Sequence, residues 1–439
     1  EDVESLADIP MKLSYFEDNG PPILTSGDHE VPSGPRGGWT AGEISVDNAY
    51  YQFSAAKNQI PQVEVVKQLS EHLVNFGHSV TVATSKLSSR NFKLLNGVKI
   101  KEFNISGNQV RGFTGEVEKY KRYLQESKFD VVMNYAAQQW ATDLFFQVID
   151  NVVSKKVFVP CGFSALYNNS YAEYFSKLPK ILKKYDATIY LSNNYRDINF
   201  ARKYKVNNRI VIPNGADERE FCTLSTENNT FRKNNKISQD NFLIVTIGNH
   251  TGTKGHNEAI KVLRNINIDN ITLVIIGKKN TTSKCYKKCK RSELLQNKII
   301  SKFSNNKKQL KILHLERDET INALKSSDMF LFLSNIECSP LVLFEAAASG
   351  KPFVSSDCGN AGEIAAWTKS GMIAKSIQDK YGYTRVNTQD VIKKITILEK
   401  DKQLRSRLGN AGRKSWQNFF TWNKITREYE KLYTKILKK

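Results

Sequence analysis

The chain has 439 residues, more than one domain usually holds, so two domains are the default expectation. Hydrophobic residues make up 40% and charged residues 25%, proportions that exclude an intrinsically disordered chain. The formal net charge is +21, and no stretch approaches the roughly 18 consecutive apolar residues that a transmembrane helix needs. Much of the charge lies in residues 278–311, a run that is usually a solvated face but that can also attract anionic lipid headgroups or nucleic acid.

Residues 1–40 are rich in glycine, proline and acidic residues and predict a loosely ordered leader. The first residues, EDVESLADIP, lack an initiator Met and a signal peptide, so we expect a trimmed chain or a domain cut from a longer one. The six cysteines are scattered, which favours reduced thiols and a cytoplasmic location. Peripheral contact of the basic run with an anionic membrane is compatible with that location.

Residues 41–225 predict a first α/β domain. A strand is expected within 43–51, and residues 62–76 predict an amphipathic helix that ends at Gly77. Further strands are predicted at 78–85, 98–105, 130–135, 155–160, 187–192 and 209–213.

Residues 226–241 are polar and rich in asparagine and predict a linker to a second α/β domain over 242–412. Its strands are predicted at 242–248, 271–277, 310–315, 328–334 and 352–356. Residues 413–439 form the last predicted segment, in which one long amphipathic helix is expected over 415–437. The sequence thus predicts an α/β protein with two doubly wound, Rossmann-like domains that face each other across a cleft.

The stretch NIECSPLVLFEAAASG, residues 335–350, places Glu337 and Glu345 around the start of a predicted helix. We expect Ser339 to be the N-cap and Pro340 the first helical residue. Because strands flank this helix, the unit is a crossover of a parallel sheet, and ligands of such sheets bind at the carboxyl ends of the strands. Both glutamates can therefore face the crevice.

Two interpretations of these glutamates are open from the local sequence. Acidic residues near a helix N-terminus can simply complement its dipole. Alternatively, the free amides of Leu341 and Val342 suit a phosphate, while the carboxylates accept hydrogen bonds from sugar hydroxyls. A nucleotide sugar has both parts and fits the second interpretation.

Cys285 and Cys289 could form half of a metal site, but no second pair or histidine follows them at suitable spacing, so we predict no metal site. The sequence also contains no Asp-x-Asp triplet, which fits a reaction that needs no metal ion.

Several segments, in order, resemble the GT-B glycosyltransferases, specifically the retaining family 4, from about residue 43 to the C-terminus. The matching segments are QVEVVKQLSEHLVNFGHSVTVAT, VIPNGADEREF, IGNHTGTKGHNEAI, SNIECSPLVLFEAAASGKPFVSSDCGNAGEI and FTWNKITREYEKLY. One glycine-rich turn is weak evidence, but five motifs in the family's order are strong.

The resemblance implies roles for individual residues. Glu345 would hold the ribose hydroxyls of the donor nucleotide, Glu337 the transferred sugar, and Lys254 the diphosphate; Glu337 and Lys254 are the catalytic candidates. The resemblance gives this donor-binding set: Gly248, Asn249, His250, Lys254, Leu315, Glu337, Ser339, Leu341, Val342 and Glu345. Leu315 stands where relatives hold the base.

The chain departs from the family pattern at three places. The usual arginine before the lysine is missing, so Asn249, His250 or another cation must replace it. The first phosphate loop carries Pro61 and Gln62 instead of glycines, and the Arg36-Gly37-Gly38 leader is an alternative to it. The usual first-domain histidine is absent from the stretch VVMNYAAQQW, residues 131–140. Acceptor-side candidates are Gln62, Tyr135, Gln138 and Gln139.

The resemblance therefore implies a metal-independent, retaining transfer from a UDP- or GDP-linked sugar to a glycan, lipid or protein, with no further cofactor and no protein base named. The three departures leave open a binding or scaffold protein with a degenerate site. The charge leaves open a glycosyltransferase that modifies nucleic acid, but the basic run lies in the donor domain, which weighs against a nucleic-acid partner.

Overall fold

The computed structural model describes residues 48–52, 60–88, 90–223, 230–300 and 308–439. The predicted leader, with Arg36, Gly37 and Gly38, lies outside the described residues. The predicted linker is described only from residue 230 onward.

The first part of the chain forms an eight-stranded sheet in the order β10-β9-β8-β7-β1-β2-β4-β3. All neighbouring strands pair in parallel except β3 and β4. The strands are β1 (Asn48–Gln52), β2 (Ser79–Ser85), β3 (Leu94–Leu95), β4 (Val98–Phe103), β7 (Val131–Tyr135), β8 (Lys155–Val159), β9 (Ala187–Tyr190) and β10 (Arg209–Val211), with a separate hairpin of β5 (Ile105–Asn108) and β6 (Gly112–Gly115). The single strand expected at 98–105 is thus two strands, β4 and β5.

Helices connect these strands, as parallel pairing requires. They are α1 (Ile60–Asn75), α2 (Val117–Glu126), α3 (Trp140–Val148), α4 (Ala172–Leu182), α5 (Arg196–Lys203) and α6 (Glu218–Phe221). The buried face of α1 carries Val66, Leu69 and Leu73, as its periodicity predicts.

The second part forms a fully parallel six-stranded sheet in the order β13-β12-β11-β14-β15-β16. Its strands are β11 (Phe242–Ile247), β12 (Ile271–Ile276), β13 (Gln309–Leu313), β14 (Met329–Phe332), β15 (Phe353–Ser356) and β16 (Gly371–Ala374), followed by the hairpin β17 (Ser376–Gln378) and β18 (Thr384–Val386). The helices are α7 (Phe231–Asn234), α8 (His256–Asn265), α9 (Lys284–Leu294), α10 (Arg317–Ser326), α11 (Leu341–Ala348), α12 (Ala361–Thr368) and α13 (Thr388–Lys400), and a π-helix spans Leu295–Ile300. The fold is therefore α/β with two parallel, Rossmann-like sheets.

The C-terminal segment consists of two helices, α14 (Lys402–Phe419) and α15 (Trp422–Leu437), and not of the one expected over 415–437. The helical conformation is interrupted before Thr421. The Thr421 side chain caps α15 by accepting a hydrogen bond of 3.3 Å from the Lys424 amide. Helix α15 packs on α1 of the first part, and the Tyr433 hydroxyl lies 3.3 Å from the Met133 sulfur of β7. The chain thus returns to the first sheet.

Across the described ranges, no helix combines the length and the apolar character needed to cross a bilayer.

Candidate active site

The loop between β11 and α8, residues 248–255, is fixed against the segment that follows β14. The Asn335 amide donates a hydrogen bond of 2.8 Å to the Thr253 carbonyl, whose oxygen also lies 3.1 Å from the Ser334 hydroxyl oxygen. Gly255 has a φ of +70°, and a Cβ there would lie 1.9 Å from the Leu333 carbonyl oxygen. Only glycine allows this approach, which holds the preceding Lys254 in place.

Lys254 and Glu337, predicted to contact different parts of a donor, form an ion pair. The same carboxylate oxygen of Glu337, Oε1, accepts a hydrogen bond of 2.8 Å from the Ser334 hydroxyl. The stem of Lys254 runs along Gly248, where an added Cβ would lie 3.1 Å from the lysine Cγ. Gly248, Lys254 and Glu337 thus form one unit at the carboxyl end of the second sheet.

Glu345 is buried, with 7% of its surface exposed, and is paired with an arginine. Arg317, the first residue of α10, donates a hydrogen bond of 2.6 Å to Glu345 Oε1 and another of 2.9 Å to Glu220 Oε1. Burial alone lowers the pKa of Arg317, but the carboxylates of Glu345 and Glu220 outweigh it and raise that pKa above its ordinary value.

Arg317 was missed in the sequence, although it stands two residues after Leu315. No sequence motif links it to the glutamates, because Arg317 and Glu345 are 28 residues apart. Arg317 reaches Glu345 because the carboxyl ends of parallel strands share one edge of the sheet.

Helix α11 begins at Leu341, and Pro340 occupies its N-cap position. The expectation that Ser339 caps the helix is therefore wrong: the Ser339 hydroxyl makes no cap hydrogen bond and is buried without a partner among the described residues. The Ser339 carbonyl accepts a hydrogen bond of 3.1 Å from Asn214 Nδ2. The first-turn amides, including those of half-buried Leu341 and Val342, lack an intrahelical acceptor, as in any helix.

Asn249 and His250, the candidates for replacing the missing arginine, have other contacts. Asn249 Oδ1 accepts a hydrogen bond of 3.1 Å from the Lys278 amide. The His250 ring is buried, with Nδ1 3.7 Å from the Cys285 sulfur. This placement argues against His250 as the missing cation.

The acceptor-side candidates differ in exposure. Tyr135 is 1% exposed and belongs to the core, and burial raises the pKa of its hydroxyl well above the ordinary value, so its placement argues against contact with an acceptor. Gln138 has a φ of +63° and its Oε1 lies 3.4 Å from the Ala165 amide. Gln139 is the half-buried N-cap of α3, and Gln62 lies in the first turn of α1.

Glu363 of α12, a helix that follows a strand of the second sheet, accepts hydrogen bonds from the loop after β9 of the first sheet. Its carboxylate accepts hydrogen bonds of 2.6 Å from the Ser192 hydroxyl, 2.8 Å from the Asn193 amide and 2.9 Å from the Asn194 amide. The carboxyl-end loops of both sheets therefore meet.

A cavity of about 680 Å³ lies beside this contact. Its walls include Tyr167, Tyr195, Arg196 and Lys203 from the first part of the chain, and Gly359, at which an added Cβ would lie 2.9 Å from the Glu337 carbonyl oxygen. The cavity wall at Gly359 thus lies close to the backbone of Glu337.

Residues 227–415 match the family model described as Glycosyl transferases group 1. The chain is also similar, at 32% identity over 123 residues, to the N,N'-diacetylbacillosaminyl-diphospho-undecaprenol alpha-1,3-N-acetylgalactosaminyltransferase of Campylobacter jejuni. That alignment covers 28% of this chain and 30% of the relative, so the match spans less than a third of the relative's length.

Solved structures extend the likeness over most of the chain. The sucrose-phosphate synthase of Thermosynechococcus elongatus has a TM-score of 0.71 at 16% identity, covering 89% of this chain and 99% of its own. The Anabaena protein Alr3699/HepE in complex with UDP has a TM-score of 0.70 at 13% identity, covering 88% and 100%. Residues 227–415 are thus similar to the glycosyl transferases group 1 family, and the fold of the chain is that of the GT-B glycosyltransferases.

Proposed function

We propose that this protein transfers a sugar, with retention of configuration, from a UDP-linked donor to a lipid-linked or glycan acceptor. The observation that carries the proposal is the position of the Lys254–Glu337 ion pair and of Glu345 at the carboxyl edge of the second sheet, beside the start of α11. A nucleotide sugar needs a cation, amides and hydroxyl acceptors within one ligand length, and this edge offers all three.

Lys254 can hold the diphosphate without leaving Glu337. An ammonium group has three N–H donors, and one of them serves Glu337. The others can reach phosphate oxygens, together with the free amides at the start of α11. As the glycosidic bond breaks, negative charge grows on the leaving diphosphate, and these groups stabilise it most at that moment.

The two glutamates retain free oxygen atoms for sugar hydroxyls. Glu337 uses Oε1 for Lys254 and Ser334, and Glu345 uses Oε1 for Arg317. Within the described residues, the Oε2 atoms of both side chains make no hydrogen bond. We assign Glu345 Oε2 to the ribose and Glu337 Oε2 to the transferred sugar.

The acceptor attacks from the face that the leaving group occupies, and the leaving phosphate takes the proton of the acceptor hydroxyl. No protein base is then required, and lysine and helix amides supply the positive charge that a metal ion supplies in other glycosyltransferases. UDP is favoured over GDP because the similar Anabaena protein is described in complex with UDP.

For the acceptor, we favour a lipid-linked diphosphate sugar in the 680 Å³ cavity. Aromatic faces such as Tyr195 pack on sugar rings, and Arg196 and Lys203 offer positive charge to a diphosphate. The Campylobacter relative is named for a diphospho-undecaprenol substrate. Exposed basic residues would support peripheral contact with the anionic membrane that carries such a lipid: Lys284, Lys287, Lys288 and Arg291.

Thermal unfolding with UDP, GDP and ADP tests the donor, because a ligand of the native state raises the melting temperature. We expect the largest rise with UDP and slow hydrolysis of at least one UDP-sugar. A chain that none of the three nucleotides stabilises would contradict the proposal.

A second candidate is a nucleotide-binding or scaffold protein with a degenerate site. Two observations favour it: both glutamates are already paired with cations, and Pro61 and Gln62, not glycines, stand in the first turn of α1. Stabilisation by UDP, without hydrolysis or transfer from any UDP-sugar in the presence of membrane lipids, would select this candidate.

A further inference from the structure

Four potential metal ligands converge in the second domain, outside the donor site. Cys285 and Cys289 lie one turn apart on α9, His250 lies in the loop after β11, and His256 is the first residue of α8. Their ligand atoms all lie within 4.8 Å of one another. His250, His256 and Cys289 are buried, with exposures of 4%, 3% and 0%, and Cys285 is half-buried.

The distances resemble the edges of a metal-centred tetrahedron. Nδ1 of His250 lies 3.7 Å from the Cys285 sulfur, and Nδ1 of His256 lies 3.6 Å from it. A tetrahedral zinc ion with Zn–S of about 2.3 Å and Zn–N of about 2.0 Å separates its ligand atoms by roughly 3.3–3.8 Å. A small inward movement of the longest pair completes this geometry.

Without a metal ion, the buried imidazole nitrogens of this cluster have few hydrogen-bond partners. Nε2 of His250 and Nε2 of His256 are both buried and make no hydrogen bond to any described residue. Two buried imidazoles that share one sulfur as partner gain little for the cost of leaving water. A zinc ion bound by the two Nδ1 atoms and the thiolates would replace this weak shared contact, while the Nε2 atoms would remain unbound to it.

We propose that His250, His256, Cys285 and Cys289 bind one structural zinc ion. Two thiolates and two imidazoles are the donor set that favours tetrahedral zinc, and four protein ligands leave no open position for catalysis. The spacings also fit, since three residues separate the cysteines and five separate the histidines.

The proposal departs from the sequence prediction of no metal site. That prediction required a histidine after the cysteine pair, whereas both histidines precede the pair along the chain. Parallel strands β11 and β12 are neighbours, so the segments that follow them come together at one edge of the sheet.

The zinc ion would also hold the donor loop. His250 and His256 flank Lys254 on either side, so the ion would tie both ends of the segment that carries Lys254 to α9. This second consequence rests on the proposed function, whereas zinc binding itself does not. A failure of either can therefore be recognised separately.

Metal analysis of the purified full chain tests the proposal. We expect about one zinc ion per chain in the wild type and in the Cys222→Ser control, whose cysteine is exposed and outside the cluster. Cys285→Ser and Cys289→Ser should each lose most of the zinc. Zinc that is absent from the wild type, even after reconstitution, or that is equally retained in all variants would overturn the proposal.

A measurement on the wild type guards against variants that fail to fold. Replacement of zinc by Co²⁺ should give the intense visible bands of tetrahedral cobalt and a thiolate-to-cobalt charge-transfer band, with one equivalent at saturation. Chelation should abolish both and lower the melting temperature. A weak octahedral spectrum, or a melting temperature unchanged by chelation, would rule out a buried structural site.

Discussion

Arg317 donates a hydrogen bond of 2.6 Å to Glu345, so the second glutamate of the pair is held by a cation from the neighbouring strand–helix unit. Arg317 is itself tied to Glu220 by a hydrogen bond of 2.9 Å. It therefore orients a buried carboxylate and is already paired with two carboxylates, those of Glu345 and Glu220. The expected effects of substituting Glu345 or Arg317 on UDP binding follow from this pairing.

Glu345→Ala should weaken UDP binding, because the ribose loses a charged acceptor worth about 1.5–3 kcal/mol and Arg317 loses a partner. Arg317→Met should weaken UDP binding less, since the carboxylate remains but is no longer oriented. Isothermal titration with UDP measures both. Arg264→Met, which changes an exposed arginine at the end of α8, is the control. Wild-type affinity for UDP in Glu345→Ala would contradict the ribose assignment.

Glu337→Gln should bind UDP with nearly wild-type affinity and turn over roughly 100-fold more slowly. The amide keeps the shape and can still contact Ser334, but it is a weaker acceptor for the hydroxyl of the transferred sugar. Titration with UDP and the rate of UDP-sugar hydrolysis separate the two effects. If UDP affinity falls as much as the rate, the glutamate contacts the nucleotide instead.

Lys254→Ala should lower both UDP affinity and turnover. Two charges about 4 Å apart attract by around 4 kcal/mol at an effective dielectric near 20, and loss of this attraction should slow turnover by roughly two orders of magnitude or more. The substitution also leaves Glu337 unpaired beside the diphosphate. Lys261→Ala, on the exposed face of α8, is the matched control.

The structure argues against compensation by His250 in the Lys254→Ala enzyme. The His250 ring is buried, with Nδ1 3.7 Å from the Cys285 sulfur, so it is not placed to replace the Lys254 ammonium group at the diphosphate. A Lys254→Ala enzyme that keeps near-normal turnover would mean that the diphosphate lies elsewhere, for example near Lys278 or Lys279.

Local patterns predicted the elements of this fold well, because a buried parallel strand is a continuous apolar run. The strand predicted at 271–277 is observed as Ile271–Ile276, and every residue of it is buried. Caps were less predictable. Ser339 looked like an N-cap, but Pro340 occupies that position, so the helix starts one residue later than expected, and the Ser339 carbonyl accepts a hydrogen bond from Asn214.

Pairings between distant residues could not be predicted from one sequence. Arg317 and Glu345 are 28 residues apart, and His250 and Cys285 are 35 apart. Both pairs form because the topology brings separate strand ends to one edge, and strand order is not encoded in any short motif. The prediction that one glutamate binds the ribose and the other the sugar still awaits measurement.

Gly255→Ala should lower the free energy of unfolding by about 3 kcal/mol or more. The residue has a positive φ and its Cβ would overlap the Leu333 carbonyl oxygen at 1.9 Å. Gly252 is the control, because it also has a positive φ, +88°, but nothing lies within 4 Å of an added Cβ. Gly252→Ala should cost only about 1–2 kcal/mol, the backbone component alone. If urea unfolding shows that both substitutions lower the free energy of unfolding equally, Gly255 does not approach the Leu333 carbonyl closely.

His72 is a buried residue of α1 that contacts Glu218, the first residue of α6. Its Nδ1 lies 2.8 Å from the Gln68 carbonyl oxygen and its Nε2 lies 3.0 Å from Glu218 Oε1. Burial by itself lowers the pKa of His72, and Arg219 opposes its charge, but the hydrogen bonds to Glu218 and to Gln68 outweigh both and raise that pKa above 6.5. The native state therefore binds a proton more tightly than the unfolded chain does.

A histidine with a raised pKa in the native state stabilises the fold below its unfolded pKa, and this contribution is lost as the pH rises through the native pKa. Glu218 stays ionised over this range, because its own pKa is lowered: burial opposes the shift, and the hydrogen bond from His72 outweighs it. The stability advantage of the wild type over His72→Gln should thus be larger at about pH 5.5 than at about pH 8. Urea unfolding at both values measures it, with His314→Gln, a substitution at an exposed histidine, as the matched control. An advantage that is equal at both pH values, or larger at the higher one, would mean that the His72–Glu218 contact is a hydrogen bond between a neutral ring and the carboxylate.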